Sequence, residues 1–345
     1  MSELSNSAEV NFESYPPIFR RLPESQTQNL DTAVADAINN VDIPDSDPIP
    51  VIDLQCLNLD SLGEACRNWG LFRLVNHGIP PALLSQLQDH ASKLFSLSFE
   101  FKQSLFSSPL SYFWGTPALT PSGAALLRGP QKSISWVEGF NVPLGSPLSQ
   151  LEPEDPVLAS FRLLLEEYGK HLARLATKIF EAMVMKLSLN LEEVKSNLSE
   201  STGYVRIYRY PLHSMANSTW GLDAHTDSSV LSILSQYEVG GLEVLKDSKW
   251  LQVKPLSNTL LVNLGDMMQA ISNDEYKSVE HRVKLNKQKE RISICYFVFP
   301  DEGSVIRSSK YKPFTYTDFR ARVQEELKTL GFKVGLRNFK LTQAS

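Results

Sequence analysis

From Tyr204 onward the chain switches from a helical spacing of apolar residues to short β-like runs, and that switch limits the available folds more than any other feature. The runs are Tyr204–Tyr210, Ser229–Leu234, Leu242–Leu245, Trp250–Lys254, Leu260–Val262, His281–Lys284 and Ile292–Val298, with turn signals between them. Seven short strands crowded into one stretch predict an antiparallel sandwich or barrel, not an alternating βαβ array.

Upstream the pattern is helical. Leu83, Leu84, Leu87, Ala91, Leu94 and Phe95 share one face of a helix opened by Pro80-Pro81. Asp155-Pro156 starts a longer periodic stretch through Phe161, Leu165, Leu172, Ile179 and Leu187. Ile49–Leu54 and Leu71–Asn76 read as strands around a short helix over Ser61–Trp69 closed by Gly70. Residues 107–150, with Trp114 and Trp136, read as loops and short strands, and a last helix over Thr317–Leu330 ends at Gly331. The expected organisation is a loose arm over 1–48, helical support over 49–200, a β core over 201–305, and a C-terminal helix and tail over 306–345. The predicted class is α+β.

Charge and cysteine usage narrow the partners. Lys+Arg 34 against Asp+Glu 39 leaves −5, which recruits neither nucleic acid nor an anionic membrane. No apolar run approaches the ~20 residues of a membrane span, and the polar, acidic start lacks the apolar segment of a secretory signal. Cys56, Cys66 and Cys295 are far apart with no CxxC, which predicts reduced, buried thiols in a cytoplasmic protein. A monomer acting on a small molecule is expected.

The chemistry-bearing residues sit in the β half. His225-Thr226-Asp227 places an imidazole and a carboxylate at i and i+2, on one face of an extended segment about 6–7 Å apart. His281 supplies a third candidate ligand. Two histidines and one carboxylate leave coordination positions open, a pattern of non-haem Fe(II) oxygenases rather than of closed structural zinc. A histidine on a strand is more often a hydrogen-bonded structural residue, so the triplet alone carries little. Ten residues on, Arg291-Ile292-Ser293 puts a guanidinium and a hydroxyl on one strand face, with Ile292, Ile294 and Tyr296 suited to a core on the other. A guanidinium fork with a neighbouring hydroxyl can hold the distal carboxylate of a dicarboxylic acid.

With these residues in place, the sequence resembles the plant 2-oxoglutarate and Fe(II)-dependent dioxygenases over nearly its whole length. Ile49–Leu54 and Gly70–Ile79 match the N-terminal segment of that family. Gly221–Asp227, Asn263–Asp266, Ile271–Asn273, Tyr276–Val283 and Arg291–Ser293 match the C-terminal one. The stretch Leu264–Val283 is most similar to the gibberellin oxidases, in particular their 2-oxidase-like branch. Two departures stand out: Tyr208 replaces the usual Asn, and Pro211-Leu212-His213-Ser214 replaces a Pro-Pro-Cys run.

The resemblance implies a double-stranded β-helix, or jelly roll, with Fe(II) held by His225, Asp227 and His281. It also implies 2-oxoglutarate held by Arg291, Ser293 and Tyr210. The implied reaction consumes O2 and releases succinate and CO2, with ascorbate as a supporting reductant. No catalytic residue beyond the metal site is implied, His77 and Asn76 are assigned to a turn, and Gly265-Asp266 to a turn between strands. Trp136, Glu138 and Arg128, with Lys132, are the candidate substrate contacts. The implied substrate is a gibberellin, with auxin or a phenylpropanoid as the alternative. The presence of His225, Asp227, His281, Arg291 and Ser293 together argues against a non-catalytic ligand-binding relative, and a relative that dispenses with 2-oxoglutarate is the third reading.

Overall fold

Helical periodicity in the first half and period-two alternation in the second segregate as the sequence predicts. The computed structural model describes residues 12–20, 47–105, 111–116, 134–144, 156–212 and 220–341. The first half holds β1 (Val51–Asp53), α1 (Leu59–Asn68), β2 (Leu71–Val75), α2 (Pro81–Ser96), α3 (Phe99–Ser104), β3 (Ser111–Trp114), β4 (Glu138–Pro143), α4 (Pro156–Lys186) and α5 (Leu191–Val194). The second holds β5 (Ser199–Tyr210), β6 (Trp220–His225), β7 (Leu231–Gln236), β8 (Leu242–Lys246), β9 (Lys249–Gln252), β10 (Leu260–Leu264), α6 (Asp266–Ile271), β11 (His281–Lys284) and β12 (Arg291–Phe299). β13 (Val305–Ile306), β14 (Phe314–Thr315) and α7 (Tyr316–Thr329) close the chain.

The strands form an eight-stranded sheet in the order β1-β2-β10-β7-β12-β5-β4-β3 and a four-stranded sheet in the order β6-β11-β8-β9. Every pairing is antiparallel except β1 with β2. This is the jelly-roll core of an α+β protein. β12 shows why it has two interiors. Ile292, Ile294, Tyr296 and Val298 pack into one apolar core with α2 and α4. Arg291, Ser293, Cys295, Phe297 and Phe299 point the other way, into a cavity between the two sheets. Helices brace the outside of the large sheet, and its inside is left for chemistry.

Local signals explain most boundaries. Asn58 and Ser98 accept backbone N–H groups at the starts of α1 and α3, and Thr315 with Asp318 forms a capping box on α7. α7 therefore begins one residue before the expected Thr317. Asp155, the expected cap of α4, lies outside the described residues.

Three expectations are corrected. β6, which carries the first histidine, has no counterpart among the predicted strands, because Gly221, Asp223 and His225 break its apolar alternation. Gly265 caps a helix, α6, rather than making a turn between strands. A Cβ on Gly265 would lie 2.0 Å from the Ser229 carbonyl oxygen, so only glycine lets α6 start against the loop after Asp227. Cys56 is exposed, not buried, and all three cysteines are free.

Part of the arm is firmly packed. Ser14, Tyr15 and Phe19 are buried, and a cluster of charges beneath them explains it. Glu138, fully buried on β4, accepts from Lys102 Nζ at 2.8 Å, Tyr112 Oη at 2.5 Å and Arg209 Nε at 2.5 Å. Lys102 Nζ also donates to the Ser14 carbonyl at 2.6 Å, and Arg209 Nη1 donates to Ser14 Oγ at 3.1 Å. Burial pushes the Lys102 ammonium down to about 8, with Glu138 opposing that shift. Glu138→Gln would leave the buried Lys102 without its carboxylate and Arg209 with only the longer contact to Glu290 at 3.8 Å. It is expected to lower the free energy of unfolding by about 3–5 kcal/mol, measured by urea denaturation. A loss below about 1 kcal/mol would show that Glu138 does not hold this region together.

Candidate active site

β6 and β11 pair so that His225 and His281 are direct cross-strand partners. Their rings stand 4.4 Å apart, centroid to centroid. β6 ends at His225, so Asp227 lies in the following loop rather than on a continued strand, which corrects the extended His-x-Asp geometry expected from spacing. The loop nevertheless returns the carboxylate. Asp227 Oδ1 lies 3.9 Å from His225 Nε2 and 3.8 Å from His281 Nε2.

The remaining atoms of these side chains are committed in a way that frees the ligating ones. His225 Nδ1 sits 2.7 Å from the Asp223 carbonyl and His281 Nδ1 3.2 Å from the Val279 carbonyl. A carbonyl can only accept, so each ring carries its proton on Nδ1 and presents the Nε2 lone pair. Ser232 Oγ and Asn263 Nδ2 each donate to Asp227 Oδ2 at 2.8 Å, leaving Oδ1 open. Burial, followed by the neighbouring His281, holds His225 below its ordinary value, so the imidazole is neutral at neutral pH. Burial works to raise the Asp227 carboxyl, but His281, His225, Asn263 and Ser232 together hold it below its ordinary value. Two imidazoles and one carboxylate, with ligand atoms within 4.8 Å of one another, are a donor set that fits a divalent iron ion. Lys333 secures the loop from behind, donating to the Thr226 carbonyl at 2.7 Å and pairing with Asp266 at 2.6 Å.

The cavity beside the triad measures about 510 Å³. Arg291 is 2% exposed, yet no carboxylate pairs with it among the described residues. Its Nη1 donates to Ser293 Oγ at 2.8 Å, its Nη2 makes a long contact with Gln236 Oε1 at 3.4 Å, and its Nε has no partner. Tyr210 pairs with Arg291 across the β5–β12 ladder, its ring 5.1 Å from the guanidinium carbon. Desolvation holds Arg291 below its ordinary value. A buried guanidinium with an orphaned Nε fits an anion delivered by a ligand, and the Ser293 hydroxyl beside it fits the same carboxylate. A Cβ on Gly221 would lie 2.5 Å from the Tyr210 ring, so that glycine lets β6 close over the tyrosine.

The structure thus brings together His225, Asp227, His281, Arg291, Ser293 and Tyr210 around one cavity. It keeps two of the expected substrate contacts, Trp136 and Glu138, away from it. Glu138 is committed to Lys102 and Arg209, and Trp136 stacks on Phe19 at 4.9 Å; neither lines the cavity. Arg128 and Lys132, like His213, lie outside the described residues. His77 accepts from the Ile79 N–H at 3.2 Å, in keeping with a turn. Tyr208 lines the cavity at the position where an Asn was expected. Sequence reasoning missed Gln236, Arg206 and the inner face of α7, all cavity-lining or adjoining it, because no local pattern marks them.

Comparison with known proteins agrees with this geometry. Residues 201–300 match the 2OG-Fe(II) oxygenase superfamily, and residues 49–158 match the family described as non-haem dioxygenase in morphine synthesis N-terminal. The chain is 35% identical over 312 residues to gibberellin 2-beta-dioxygenase 6 of Oryza sativa subsp. japonica, covering 84% of each protein. It is 36% identical over 285 residues to gibberellin 2-beta-dioxygenase 8 of Arabidopsis thaliana, covering 81% of this chain and 80% of that one. The crystal structure of JOX2 in complex with 2OG, Fe and JA superposes with a TM-score of 0.72 at 28% identity, covering 85% of this chain and 89% of that one. The chain therefore belongs to the 2OG-Fe(II) oxygenase superfamily and is an oxidoreductase that uses Fe(II) and 2-oxoglutarate.

Proposed function

We propose that the protein oxidises a gibberellin, in the manner of an inactivating 2-oxidase. His225, Asp227 and His281 hold the metal, while Arg291, Ser293 and Tyr210 hold the distal carboxylate of 2-oxoglutarate. The observation that carries the reading is the pairing of the triad with an unsatisfied, buried Arg291 in one cavity large enough for a rigid polycyclic acid. The similarity to two gibberellin 2-beta-dioxygenases over most of the chain supports the choice of substrate.

Bound there, Fe(II) and 2-oxoglutarate supply O2 activation and removal of hydrogen from an unactivated C–H bond. The chain supplies positioning. Arg291 and Ser293 fix one end of the co-substrate, so its other end is aimed at the triad. Apolar walls from Leu222, Leu242, Val283 and Phe297 exclude water and decide which C–H faces the metal. No helix among the described residues is long and apolar enough to cross a membrane.

The test is incubation of the protein with Fe(II), ascorbate, 2-oxoglutarate and a panel of gibberellins, followed by mass analysis and succinate measurement. Gain of one oxygen marks hydroxylation, loss of two hydrogens marks desaturation, and gain of water marks formal hydration. Succinate release matched to a modified gibberellin is expected. Turnover of auxin or a phenylpropanoid with every gibberellin untouched would move the proposal to that metabolite.

A further inference from the structure

The far end of the cavity carries a second cation with no acid to pair with. Among the described residues three arginines line the cavity, Arg206, Arg291 and Arg320. No carboxylate pairs with any of them among the described residues, whereas Arg73 and Arg282 each pair with one and Arg209 with two. Lys333, the other lining cation, is engaged by Asp266.

β5 sets the distance between these cations. Tyr204, Arg206, Tyr208 and Tyr210 alternate on the cavity face of that strand. They stand opposite Phe297, Cys295, Ser293 and Arg291 of β12 in register. Each i to i+2 step along a strand covers about 6.8 Å, so Arg206 lies ~14 Å along β5 from the Tyr210–Arg291 rung. The Arg206 guanidinium is held in place from behind. Its Nε donates to Asn141 Oδ1 at 3.3 Å, and its carbon lies 5.1 Å from the Tyr204 ring, 5.6 Å from Phe297 and 5.9 Å from Phe113. The Tyr208 side chain is a further hydrogen-bond partner; aromatic rings, a phenol oxygen and one amide oxygen position a guanidinium without supplying a carboxylate. Arg320 is exposed on α7, at the cavity's edge.

We propose that Arg206, assisted by Arg320 at the rim, binds the carboxylate of the substrate, and that the enzyme selects carboxylic acids with an apolar ring body. Arg291 and Arg206 then divide two anions between the two ends of one cavity, and the substrate's reacting carbon lies between its own carboxylate and the metal triad. The alternative role for Arg206 is a structural staple among three aromatic rings, which would be indifferent to the charge of the ligand. The inference rests on the proposed substrate site and deepens it. It requires only the acid and the ring body, not a gibberellin in particular.

The test compares acids with their methyl esters. Full-length protein with Fe(II) and 2-oxoglutarate, kept anaerobic, is titrated by calorimetry with naphthaleneacetic acid and with its methyl ester. The KM of a gibberellin and of its methyl ester is measured aerobically in parallel. The wild type is expected to favour each acid about 10- to 100-fold over its ester, the range of a charge-assisted hydrogen-bonded pair. Arg206→Met should abolish that preference by weakening the acid and leaving the ester unchanged. Arg206→Lys, which keeps a charge and guards against misfolding of the methionine variant, should retain part of it, and Arg320→Gln should lose a smaller part. Equal affinity of the wild type for acid and ester, no measurable acid binding, or an unchanged preference in R206M overturns the proposal. Acid preference for naphthaleneacetic acid with no gibberellin turned over would leave the anchor standing and refute only the gibberellin reading.

Discussion

Asp227→Ala is expected to eliminate Fe(II) binding and turnover together. The carboxylate is the only member of the triad that can be anionic, since a ligating imidazole brings a lone pair and no charge, so its removal takes away all the charge that opposes a divalent ion. The loss should exceed the 10- to 100-fold typical of changing a residue that only orients a ligand, about what Asn263→Leu would cost here through the bond to Asp227 Oδ2. Anaerobic titration with Fe(II) reads this directly, without turnover. Circular dichroism controls for folding, which should survive because no buried cation loses its partner. Wild-type iron affinity in the folded D227A protein would place the metal elsewhere.

Arg291→Lys separates the two halves of the site. Lysine keeps the charge, but its single nitrogen cannot reproduce the fork that now spans Ser293 and the open Nε side. The KM for 2-oxoglutarate should rise about 10- to 100-fold, while Fe(II) affinity stays within about two-fold, since Arg291 touches none of the three metal residues. Parallel changes in the two parameters would mean that Arg291 acts on the metal site rather than on the co-substrate.

The two substitutions test residues that were legible for different reasons. His225, Asp227 and His281 form a ligand set by residue type, and Arg291-x-Ser293 shares a strand face by period-two alternation. Both patterns survive in the structure. Of the expected substrate contacts, Trp136 and Glu138 do not line the cavity, and Arg128 lies outside the described residues. Trp136 and Glu138 fall in a polar, glycine- and proline-rich stretch that resembles a binding loop, yet Glu138 is a fully buried counter-ion between Lys102 and Arg209. Its partners lie 36 and 71 residues away in the chain, so no local pattern reports them. β6 was overlooked because cross-strand pairing with β11, not its own alternation, makes it a strand. α6 replaced a turn because Gly265 allows close approach to the Ser229 carbonyl, a contact between segments that sequence spacing does not reveal.

Arg206 and Arg209 show most plainly what each level of description contributes. The sequence by itself determined the antiparallel core, the helical bracing, the ligand types and the strand carrying the arginine fork, because all of these follow from periodicity and side-chain chemistry along a short stretch. It shows two arginines three residues apart on β5, which alternation must send to opposite faces. Only the tertiary structure decided that Arg209 meets Glu138 beneath the N-terminal arm, while Arg206 faces the cavity with no acid beside it among the described residues. The reason is electrostatic. Whether a buried cation is a structural partner or a binding site depends on which carboxylates come within a few ångströms of it, and that is settled by the packing of segments remote in sequence.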